Sequence, residues 1–120
     1  MYYYKNVLML PGVYFLNPNF GASNDNRGMQ GAPIFGSIPN FDVLRIDQNS
    51  ERMLVMPGFR VEVWGGFNYT GTDYADINNL NGTKIKFGYG LSNGSSCKVY
   101  YKDSNGIVTE LVDMYSDTGN

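Results

Sequence analysis

The sequence predicts an all-β domain, a sandwich or barrel of short antiparallel strands, on three observations. Apolar residues recur with period two, and no segment holds the period of a helix. Gly, Pro, Asn and Asp fall between the alternating segments, where turns belong. The composition is rich in Tyr (10), Phe (7) and Gly (15), while charged residues make up 17%, below the usual quarter. A chain of 120 residues is one domain and can bury a core without staples.

The elements follow in chain order. "VLML" (Val7 to Leu10) is a short apolar run that ends at Pro11–Gly12. "VYFLNPNF" follows, then a polar glycine-rich loop from Gly21 to Pro33. "DVLRID" places Leu44 and Ile46 on one face against Arg45. "MLVM" (Met53 to Met56) is an apolar run of strand formers before Pro57–Gly58. "FRVEVW" puts Phe59, Val61 and Val63 on one face and Arg60, Glu62 and Trp64 on the other. "KIKF" pairs Ile85 with Phe87, and "CKVYY" aligns Cys97, Val99 and Tyr101. "DSNG" (Asp103 to Gly106) reads as a hairpin turn into "IVTELV".

Several function classes are excluded. A net charge of −2 lacks the basic footprint of a nucleic-acid binder. With no His in the chain, Ser-His-Asp catalysis and His-based metal sites are absent. The single Cys97 can form no intrachain disulfide; it reads as a core thiol without a basic partner to activate it. The first apolar run is too short for a signal-peptide core or a membrane span, so a soluble chain without a membrane partner is expected. No phosphate-binding glycine motif follows a strand. Asp73 and Asp76, the "DINNLNG" stretch from Asp76 and the glycan-like "NGTK" and "NGSS" all read as solvated turns.

A repeat organises the chain. "LMLPG" precedes "FLNPNFGA", and "LVMPG" precedes "WGGFNYTG". Each hairpin stretch reads aromatic, four residues, aromatic, one residue, small residue. The Phe15-to-Trp64 offset is 49 residues and the Pro–Gly offset is 46, which implies a three-residue indel. Two such units cannot each bury a face alone and must pack on one another.

With the later "SSCKV", this pattern resembles the βγ-crystallin superfamily over roughly residues 7 to 102. The resemblance implies a two-motif Greek-key β-sandwich. One motif spans about 5–51 and the second about 52–102, with residues 103–120 as an added C-terminal hairpin or tail. It makes Phe15, Phe20, Trp64, Tyr69 and Gly71 the residues of two folded hairpins. The family often binds Ca²⁺ through two Asn/Asp, two variable residues and Ser/Thr-Ser. Aligned on "SSCKV" and "DVLRI", the chain offers Ser95 and Asp42 but places Leu91, Ser92, Ile38 and Pro39 in the remaining slots. Both motifs are degenerate, leaving at most a weak residual Ca²⁺ site at Asp42 and Ser95.

The function expected is that of a non-catalytic structural or protein-interaction module, without catalytic residues and with other protein subunits as partners. Two alternatives stand beside it. One is a minor component of a virion or other large assembly, suggested by many Tyr and Asn, low charge and terminal strands able to dock on neighbours. The other is a small toxin or enzyme inhibitor, which the family's fold also hosts.

Overall fold

The computed structural model describes residues 2–4, 7–16, 31–41, 52–89 and 93–113. Phe20, all of "DVLRID" with Asp42, and Leu91 and Ser92 lie outside the described residues. The strands are β1 (Tyr2–Tyr4), β2 (Val7–Met9), β3 (Val13–Leu16), β4 (Gly31–Ile34), β5 (Arg52–Val55), β6 (Phe59–Gly66), β7 (Thr70–Asn78), β8 (Lys86–Tyr89), β9 (Ser96–Lys102) and β10 (Val108–Glu110). β1 and β2 pair as a hairpin. The other strands form two four-stranded antiparallel sheets, ordered β4-β3-β5-β8 and β10-β9-β6-β7. The fold is all-β.

Period-two patterning decides which faces meet. Val61 and Val63 on β6 and Cys97 and Val99 on β9 are buried, while Arg60, Glu62, Lys98 and Tyr100 between them face outward. From the first sheet, Val13, Phe15, Ile34, Met53 and Val55 join the same core. Ile38 and Phe41 fill it from the connecting segment. The Phe15 and Phe41 rings meet edge to face, 5.7 Å apart, the arrangement their quadrupoles favour. β5 is buried on both faces, Leu54 included, which explains why "MLVM" reads as a continuous apolar run without alternation.

The sheets exchange strands. Residues 37–41 follow the β3–β4 hairpin but bind β9 of the second sheet. Ile38 N–H donates to Cys97 O at 2.8 Å, Cys97 N–H to Ile38 O at 2.9 Å and Phe41 N–H to Ser95 O at 2.8 Å. In return β8, which follows the β6–β7 hairpin, pairs with β5 of the first sheet. β5 pairs with β3 as β9 pairs with β6, so β5 closes the first half and the boundary falls after Val55 rather than at 51/52. Each sheet then takes one segment from the other half, and the halves share one core.

Two sequence expectations are corrected. The third strand of the second half is Lys86–Tyr89, so Phe87 points outward and Gly88 inward. A Cβ on Gly88 would lie 2.3 Å from Ile77 Cγ1, so the inward position must be glycine. Asp73 and Asp76 sit on edge strand β7 and not on a loop; charged residues suit a strand whose outer edge must not recruit another chain. The hairpin expected at "DSNG" forms: β10 pairs with β9, which adds it to the second sheet, and Leu111 packs against the core.

Candidate functional site

The chemistry-bearing side chains gather at the β6–β7 hairpin and on the outer face of the second sheet. The hairpin turns through Asn68 (φ 56°) and Tyr69 (φ 63°), then Gly71 (φ 84°). Two consecutive left-handed non-glycine residues are costly and need anchors. Ser96 on β9 supplies them: its Oγ accepts from Tyr69 N–H at 3.0 Å and donates to Gly66 O at 2.7 Å. Asn68 N–H donates to Pro39 O. Thr70 Oγ1 closes the turn on Phe67 O. At Gly71 the positive φ combines with Gly66 N only 3.3 Å from where a Cβ would stand, so glycine is required.

The outer face carries a paired charge network. Arg60 donates to both oxygens of Asp76, at 2.9 and 2.7 Å, and lies 3.6 Å from Glu62. Its guanidinium stacks 5.1 Å from the Tyr100 ring centroid, and Tyr100 donates to Glu62. Lys98 pairs with Glu110 at 2.9 Å and sits over the Tyr69 ring, whose hydroxyl donates to Asp113. The hydrogen bond from Arg60 holds Asp76 below the usual carboxylate range. Asp73 is pushed up, first by desolvation, then by the charges of Glu62 and Asp76.

Carboxylate oxygens of Glu62, Asp73 and Asp76 lie within 4.8 Å of one another. This is the grouping among the described residues that could meet a cation. Arg60 already spans two of the three carboxylates, so a metal ion would have to displace it. The spacing of these residues along β6 and β7 gave no metal-ligand motif; the cluster arises from register, with Glu62 opposite Asp76 and Trp64 opposite Asp73.

The sequence-selected residues fall in different places. Trp64 is half-buried on β6 between two register shifts, its Nε1 buried without a partner. Tyr69 and Gly71 are in the same hairpin. Phe15 is fully buried on β3, opposite Met53. Measured from its Pro–Gly turn, Phe15 is the counterpart of Val61, opposite Val99, rather than of Trp64. Ser95 has both backbone groups engaged: its N–H donates to Trp64 O and its carbonyl accepts from Phe41. Cys97 is wholly buried and its thiol is pushed up by that burial, which removes its nucleophilic form.

Two residues that the sequence did not single out hold the site in place. Ser37, buried at 2% exposure, joins three segments: its Oγ accepts from Val99 N–H and donates to Leu111 O, and its N–H donates to Val112 O. Asn79, also buried, donates from its amide to Val55 O and Lys84 O, both at 2.9 Å. No helix among the described residues is long and apolar enough to cross a membrane. No protein-family model, curated protein or solved structure matches the chain.

Proposed function

We propose that this chain is a βγ-crystallin-type Greek-key module whose role is structural, a non-catalytic scaffold that engages other protein subunits. One observation carries the reading: each sheet contains a hairpin and a returning strand of one half and is joined by a segment of the other, β8 in the first sheet and the Ile38–Cys97 bridge in the second, which β10 also extends. That exchange makes the domain indivisible. Ser96 supports it further, because a serine from the returning strand locks the folded hairpin of its own half. At the 46-residue offset of the Pro–Gly turns, Ser50 is the sequence counterpart of Ser96.

The non-catalytic part rests on pairing. Arg60, Lys98, Glu62, Asp76, Glu110, Tyr69 and Tyr100 engage one another, and Cys97 is sealed in the core. The interaction part rests on apolar side chains displayed on and beside β10, where Val112 is 84% exposed and Ile107 60% exposed. A calcium role is at most residual, because the backbone at Ser95 already serves strand pairing. Sedimentation across a concentration range tests the scaffold reading. Reversible association, weakened by Val112→Asp, is expected; a monomer at every concentration whose Val112→Asp variant behaves identically speaks against an interface at β10.

A further inference from the structure

We infer that Asn81 is a self-modification site, at which the side-chain amide cyclises onto the following backbone nitrogen under the influence of Lys102. Asn81 lies exposed, and Gly82 half-buried, in the turn that joins β7 to the segment before β8. Glycine at the second position puts no side chain beside the attacking nitrogen, whose N–H donates a long 3.2 Å bond to Asn79 O. Lys102 reaches across from β9 and donates from Nζ to Asn81 Oδ1. The ammonium therefore sits where negative charge develops, and such charge placement lowers the barrier to acyl chemistry.

The steps balance without a cofactor. Gly82 N attacks Asn81 Cγ, and charge collects on Oδ1 beside Lys102. The bond from Cγ to the amide nitrogen then breaks, and ammonia leaves with the proton from Gly82 N. Water opens the resulting succinimide at either carbonyl, giving aspartate or isoaspartate. In the aspartate product the new carboxylate takes the place of the amide beside Lys102 and gains an ion pair.

A second Asn–Gly turn in the same molecule is the control. Asn105–Gly106 is also exposed, and Gly106 N–H donates to Asp103 O as Gly82 N–H donates to Asn79 O. There the neighbouring charge is reversed: the Asp103 carboxylate accepts from Asn105 N–H at 2.9 Å. The two turns share the dipeptide and the turn hydrogen bond, and differ in the sign of the charge beside them.

The test is peptide mapping of the folded protein during incubation at mildly alkaline pH. Asn81 is expected to convert faster than Asn105. Lys102→Met should slow Asn81 by about two- to fivefold, the rate equivalent of an exposed charge contact, with Asn105 unchanged. Lys102→Arg should keep the rate, and circular dichroism identifies any variant that has lost its fold. Equal rates at the two asparagines, or an Asn81 rate indifferent to Lys102→Met in a folded protein, would overturn the inference. So would loss of ammonia without uptake of water and a peptide joined to Lys102, since that product is a Lys–Asn crosslink.

Discussion

Asn79 and Gly82 show how two residues fix a joint. Asn79 N–H donates to Phe59 O, and its carbonyl accepts from Gly58 and Gly82. Its side chain holds Val55 and Lys84, so one residue binds β5, the start of β6 and the turn before β8. A Cβ on Gly82 would lie 1.7 Å from Asn79 Oδ1. Gly82→Ala should therefore destabilise by about 2–3 kcal/mol in urea unfolding, through overpacking and loss of the amide bonds. Unchanged stability would mean that Asn79 is not the clamp. Trp64→Ala should cost about 2 kcal/mol, less than a fully buried aromatic, because the ring is half-exposed. The aromatic pattern made Trp64 legible in the sequence, whereas Asn79 was hidden among the asparagines of "DINNLNG". Only tertiary structure says which of several turn asparagines is buried.

Between strands, charge and hydroxyl placement set the stability. Asp76 is held low by Arg60, so its stabilisation is present above the unfolded carboxyl value and is lost as pH falls through the lower folded value. Asp73 is raised, so it opposes folding when ionised and ceases to do so once protonated. Acidification from neutrality should first relieve Asp73 and then, below about pH 4, cost the Asp76 contribution. Asp73→Asn should stabilise the neutral protein by a few tenths of a kcal/mol, discounted for its exposure, and remove the first phase from stability measured against pH. Ser37→Ala leaves Val99 N–H and Leu111 O unpaired and should cost about 1–3 kcal/mol. Amide exchange at residues 108–113 should accelerate beyond the global loss if Ser37 holds β10. β6 and β9 were readable because Val61, Val63, Cys97 and Val99 alternate with polar residues. β8 was misread because its inward position is a glycine, which carries no hydrophobic signal. Asp73 and Asp76 looked like loop residues because an edge strand is polar on most positions.

At the scale of the molecule, two halves interlock through exchanged segments. The Pro–Gly repeat announced the halves, but the aromatic spacing gave a 49-residue offset, whereas register in both sheets follows 46. Strand exchange itself left no trace in local pattern, since Ile38 and Gly88 find their partners only across the core. With oxygen donors lacking at Leu91 and Ser95's backbone committed, micromolar Ca²⁺ should leave the melting temperature unchanged. A bound ion at a hundredfold excess over Kd would add about 2.7 kcal/mol, and a shift of that size would restore a working calcium module. The interlock is tested most directly by nuclear Overhauser contacts between amide protons in solution. Contacts between Ile38 and Cys97, and between the β5 and β8 residues Met53 and Gly88, are expected together. An Ile38 amide that instead contacts β3 or β4 would place each half on its own and contradict the exchanged architecture.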